Sequence, residues 1–133
     1  MRYLLDTNMV SHVIKGRPEV QARLRQLPLS ALAISAVTLG ELRYGLAKAG
    51  HPPALTRLVE AFLSHVDVLP WDNAVASSYG ELRASCQQGG ITLGALDMMI
   101  AAHARASDRI LVSADLAFSR IPGAFPQENW MTS

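Results

Sequence analysis

A chain of 133 residues, 50% hydrophobic and 17% charged, has enough material for one core and one domain, expected over residues 1–133, and its composition excludes a disordered or disulfide-built class. Cys86 stands alone, which excludes an internal disulfide and points to a reducing compartment; Asp6 breaks the N-terminal apolar run too early for a secretory signal, and no stretch approaches the roughly 20 apolar residues of a membrane span, so a cytoplasmic location is expected. The net charge of +1 conceals an asymmetry: eight Lys and Arg face three acids in residues 1–57, and four Arg face eight acids in residues 58–133, a pattern that suits a polyanionic partner but equally a solvated basic helix face.

In chain order, RYLL reads as a short strand, and TNMVSHVIKG as a helix with Val10, Val13 and Ile14 on one side and Gly16 as its stop. Pro18 suits a first helical turn, so VQARLRQL supplies a second short helix before Pro28, and ALAIS follows as a buried strand. Leu39, Leu42, Leu46 and Ala49 are spaced as one face of a helix over Val37–Ala49 that ends at Gly50. Beyond Pro52 and Pro53 come a helix in ALTRLVEAFLSH and a strand in VDVLP. Asp72 is placed to cap AVASSYGELRASCQQ, which stops at Gly89 and Gly90, and LGALDMMIAAHARA reads as a buried helix because it is nearly all apolar. RILVS is a fourth strand, ADLAFSR a helical turn, and AFPQENW a last extended piece. Strands alternating with helices predict an α/β fold, a parallel sheet of four to five strands covered on both faces, with ligand chemistry beyond the C-terminal strand ends.

Four acids fall near those ends. Asp6 closes the first strand, where it reads equally as a helix N-cap. Glu41 lies three residues after Thr38, the spacing of a capping box; if Ser35 caps that helix instead, Glu41 is released toward the strand ends. Asp97 is the one charge between Arg83 and Arg105, with Ile100, Ala101 and Ala104 on its helical stripe, so it must be desolvated unless a cation or several donors compensate it. Asp115 follows the fourth strand in VSAD, with Ser113 as a competing cap. Carboxylates gathered in one place raise one another's pKa, and a hard divalent cation such as Mg²⁺ or Mn²⁺ resolves the conflict with oxygen ligands. His12, His51, His65, His103 and Cys86 show no zinc-ligand spacing and read as surface or helix-flank residues. No nucleophile elbow, Walker lysine or dinucleotide fingerprint occurs.

On LLDTN with Asp6, VTLGELRYG with Glu41, GALDMMIAAHA with Asp97, LVSAD with Asp115 and the closing FSRIPGAFPQENW, the chain resembles the PIN-domain ribonucleases, most closely the VapC-type toxins of bacterial toxin–antitoxin pairs. The resemblance implies an α/β/α sandwich, Mg²⁺- or Mn²⁺-dependent endonucleolytic cleavage of RNA, with transfer RNA the favoured substrate, a cognate antitoxin as inhibitor, and homodimerisation. It also implies that Asp6, Glu41, Asp97 and Asp115 bind metal with Asn8 and Ser113 hydrogen-bonding around them. The chain departs from the family in having Ser113-Ala114-Asp115 where Thr followed by Asn, and then Asn or Asp, is common. Thr7 and Asn8 are expected to cap the first helix and leave Asp6 free for metal.

Phosphodiester hydrolysis needs an activated water and charge stabilisation, which carboxylate-held metal supplies. Four acids repel RNA, so a basic rim is expected from Lys15, Arg17, Arg43 and Lys48. The mean hydropathy of +0.17 favours a homodimer, with AFLSHV as its contact. Two other classes fit less well. An aspartyl-phosphate phosphatase wants a second Asp where Asn8 stands, and a phospho-receiver wants a late Lys, whereas none follows Lys48. A catalytically silent RNA-binding module would use the basic half alone.

Overall fold

In the computed structural model, which describes residues 1–132, five parallel strands form one sheet in the order β3-β2-β1-β4-β5. The strands are β1 (Tyr3–Leu5), β2 (Leu32–Ser35), β3 (Asp67–Leu69), β4 (Ile110–Val112) and β5 (Gln127–Glu128). The helices are α1 (Thr7–Ile14), α2 (Pro18–Leu24), α3 (Ala36–Lys48), α4 (Pro53–Leu63), α5 (Asn73–Gln88) and α6 (Ala95–Ala106), with 3₁₀ turns at Leu29–Ala31 and Leu116–Arg120. Each expected element is present; the last extended piece proves to be a two-residue edge strand paired to β4.

The central strand shows why the fold has three layers. Its side chains alternate across the sheet. Tyr3 and Leu5 enter one core with Ile34, Val112, Leu42, Leu46 and Val59, beneath α1 to α4. Leu4 enters the other with Ala33, Leu111, Ile100 and Leu82, beneath α5 and α6. Because β1 is buried on both faces, its three residues are all apolar, and the first polar side chain, Asp6, comes where the strand leaves the sheet. The register pairs Leu5 with Val112, and the Asp6 N–H donates to Val112 O at 3.1 Å. Asp6 is thereby held level with the exit of β4. None of the described helices is long and apolar enough to cross a membrane.

The edge strand is fastened by one aromatic cluster. Trp130, 3% exposed, packs edge-on to Tyr3 with centroids 5.4 Å apart and donates from Nε1 to Glu128 at 3.0 Å. The Arg23 guanidinium lies 5.8 Å from the Tyr3 ring and 5.9 Å from that of Trp130, while its Nη2 donates to the Tyr3 hydroxyl and to Glu128. Truncating Trp130 removes the filling between β1, α2 and the end of the chain, so Trp130→Ala should lower unfolding stability by about 3–5 kcal/mol, measured by urea titration.

Candidate active site

The C-terminal ends of β1, β2 and β4 open onto the same side, and the four acids expected from the sequence meet there. Asp6 is 5% exposed. Its Oδ1 accepts the Met9 N–H at 2.8 Å, making it the N-cap of α1, and the buried Ser113 hydroxyl hydrogen-bonds to the same carboxyl group. The expected capping by Thr7 and Asn8 is therefore wrong. Thr7 Oγ1 donates to Glu41 Oε1 at 2.5 Å and lies 3.3 Å from Thr38 Oγ1. One hydroxyl proton serves one of these, and the carboxylate is the stronger acceptor, which leaves Thr38 to donate into Thr7. Asn8, rotated one position further round the helix, is exposed and makes no side-chain hydrogen bond among the described residues.

Glu41 is free to turn inward because Ser35, not Thr38, caps α3: the Ser35 hydroxyl accepts the Val37 N–H at 3.1 Å. Thr38, fully buried, is left to join Thr7. Asp97 lies in the first turn of α6, whose N-cap position holds Gly94 without a side-chain cap. Asp115 is exposed and caps the following 3₁₀ turn through Ala117 N at 2.8 Å, while its own N–H donates to Ser113 Oγ at 3.0 Å. Ser113 thus serves both acids rather than competing for the cap. Gln127 on β5, which nothing in the sequence marks, donates to the carbonyls of Ser113 and Asp115 at 3.2 and 3.0 Å and so holds the exit of β4.

Electrostatics ties the four into one group. Burial raises the pKa of Asp6, opposed by its bonds from Ser113 and Met9, and the charges of Asp97 and Asp115 raise it further. The Asp97 carboxyl is also raised, first by burial, then by Asp115 and Glu41. No Lys or Arg among the described residues pairs with any of the four; the two ion pairs present are Arg23–Glu128 and Arg43–Glu60. An uncompensated set of hard oxygen donors suits a hard divalent cation. Among the described residues no three His, Cys, Asp or Glu side chains close directly on one point.

The expected basic rim divides. Lys15 lines a cavity of about 280 Å³ together with Thr7, Ser11, Glu41 and Leu55, which puts a cation on the same cavity wall as Glu41. Arg17 is exposed at the start of α2. Lys48 ends α3, with its ammonium 5.9 Å from the Tyr44 ring and two turns beyond Glu41. Arg43 is paired: α4 packs beside α3 and its Glu60 engages the guanidinium at the surface. His103 is corrected, being 1% exposed in the core rather than on a helix flank.

Comparison with known proteins finds a family model, PIN domain, matching residues 3–124. The chain is 38% identical over 133 residues to Ribonuclease VapC2 of Haemophilus influenzae, covering 98% of this chain and 99% of that one. It is 36% identical over 131 residues to the tRNA(fMet)-specific endonuclease VapC of Shigella flexneri, covering 98% of each. Among solved structures, VapBC2 from Rickettsia felis bound to a DNA fragment from its promoter superposes with TM-score 0.89 at 33% identity over 98% of this chain and 99% of that one.

The raised carboxyls give a signed expectation. A group whose folded pKa is raised stabilises the fold while protonated and loses that contribution as pH rises through the raised value. Replacing Asp97 by Asn removes the loss. In metal-free buffer the melting temperature of Asp97→Asn should match wild type well below pH 3.8, the ordinary value for this group, and exceed it at pH 7; calorimetric scans at both pH values measure the difference.

Proposed function

Because the chain belongs to the PIN-domain family, we propose that it is a divalent-metal-dependent endoribonuclease acting as a cytoplasmic toxin, which cuts transfer RNA and is silenced by a cognate antitoxin. The observation that carries this reading is the meeting of Asp6, Glu41, Asp97 and Asp115, from four different elements, with no protein cation among them. The relatives support the rest: one bears the name of a tRNA-specific endonuclease, and the superposed chain comes from a toxin–antitoxin complex. A homodimer is part of the same proposal, as is a toxin domain spanning the whole chain.

Asp6, Asp97 and Asp115 would hold the Mg²⁺ or Mn²⁺, with Glu41 beside them. When bound, the ion supplies a more acidic water and stabilises charge on the phosphate. The protein's contribution is orientation. Asp6 is held in place by the backbone of α1, through the Met9 N–H on Oδ1, and by the Ser113 hydroxyl. Glu41 has Oε1 occupied by Thr7, which leaves Oε2 to accept a proton or hydrogen bond from water approaching the phosphate. Lys15, on the same cavity wall, would take a phosphate flanking the scissile one, with Arg17 and Lys48 further along. An antitoxin that inserts an Arg would meet the same carboxylates and compete with the metal.

Asp6→Asn and Asp97→Asn should each reduce Mg²⁺-dependent cleavage of a transfer RNA by roughly 100-fold or more while circular dichroism stays native, and Thr7→Val should lose about tenfold as Glu41 is freed to rotate. Cleavage at the wild-type rate by either Asn variant would rule the assignment out. For the rim, Lys15→Glu in a cleavage-dead background should flatten the slope of log affinity against log salt by about one unit, read by filter binding.

A further inference from the structure

One buried polar pair outside this chemistry joins the two helices that carry two of its acids. His103 sits in α6, six residues beyond Asp97, and Ser35 ends β2, six residues before Glu41; they are 1% and 0% exposed. His103 Nδ1 is 2.6 Å from Ser35 Oγ, the oxygen that also accepts the Val37 N–H. Among the described residues no other side-chain hydrogen bond joins α3 or its cap to α6. A single hydroxyl therefore ties the start of the Glu41 helix to the body of the Asp97 helix.

The surroundings fix the imidazole further. The Trp71 ring meets it edge-on with centroids 5.7 Å apart. Burial pushes the imidazole below its ordinary pKa and the charge of Arg109, which precedes β4, adds to this, while Asp72, the cap of α5, opposes both. Neutral at pH 7, the ring has no carboxylate partner and stands apart from the acid cluster. Space filling alone does not call for this pair. An imidazole and a hydroxyl buried together must satisfy each other, whereas two apolar side chains would pack the same volume without that demand.

The need for a tie is visible elsewhere on the same helices. Glu41 and Asp97 carry like charges that act on one another, and their repulsion pushes α3 and α6 apart. We propose that His103 is a positioning residue for the cleavage reaction, holding Glu41 and Asp97 at a fixed separation through Ser35. The proposal rests on the reading of Asp97 as a metal-binding acid with Glu41 beside the ion, and adds to it a residue that touches neither metal nor RNA.

His103→Leu keeps the bulk and removes the bond; His103→Asn restores a polar atom about where Nδ1 stands. With Mn²⁺ alone as the calorimetric probe, His103→Leu should bind roughly tenfold more weakly, and its kcat at saturating RNA should fall by a similar factor with KM unchanged. His103→Asn should stay within about threefold of wild type in both. Ser35→Ala should reproduce the Leu variant, and the double variant should lose little more than either single. Unaltered Mn²⁺ affinity and kcat in folded His103→Leu would overturn the role, as would equal losses in the Leu and Asn variants that follow only the fraction unfolded. Asp97→Asn is the reference: if it still cleaves RNA, the nuclease assignment falls however His103 behaves, whereas if it is dead and His103→Leu is intact, the positioning role alone falls.

Discussion

Four carboxylates are held together at the end of a parallel sheet against their mutual repulsion, and much of the local structure can be traced to that constraint. Burial and like charge both disfavour the ionised forms of Asp6 and Asp97. The fold answers with fixed donors rather than with a balancing Lys or Arg. Met9 N–H and Ser113 serve Asp6, Thr7 serves Glu41, and Ala117 N–H serves Asp115. These donors are neutral, and Asp97 has none among the described residues. A salt bridge to Arg would satisfy both oxygens of a carboxylate at once and leave nothing for a metal.

The same residues thereby carry two functions. Asp6 is at once a helix cap and, in the proposed reading, a site acid, and Asp115 repeats the arrangement at the exit of β4. Capping suits a metal-site acid because it fixes the side chain from one oxygen with a neutral donor. The alternatives that the sequence leaves open, cap or ligand, are not exclusive in this geometry.

What was legible in the sequence follows from the range of the forces involved. Strands and helices follow local periodicity, and Asp6, Asp97 and Asp115 stood out because an acid at a strand end or on an apolar stripe is a local anomaly. Glu41 depended on which residue caps α3, and two candidates lay within four positions of each other. Contacts between distant segments left no mark. Gln127 reaches Ser113 and Asp115, Glu60 captures Arg43, and His103 meets Ser35 across 68 positions. The histidine misled for a physical reason: imidazole is as compatible with a core as with a surface, and only its partner distinguishes the two. Asn8 misled because polar residues at a helix start compete for one cap, and the residue preceding the first helical turn wins it.

The order of strands along the chain has a consequence for synthesis. β1 leaves the ribosome first, yet it is the middle of the sheet, and its partner β4 follows roughly a hundred residues later, several seconds at about 5–20 residues per second. Gln127, which clamps the loop carrying Asp115, and Trp130, which seals β5 against Tyr3, come later than all four acids. A nascent or prematurely released chain therefore lacks the geometry for hydrolysis, however many of its acids have already been made. Residues 127–130 must be made before the loop carrying Asp115 is clamped and β5 is sealed against Tyr3.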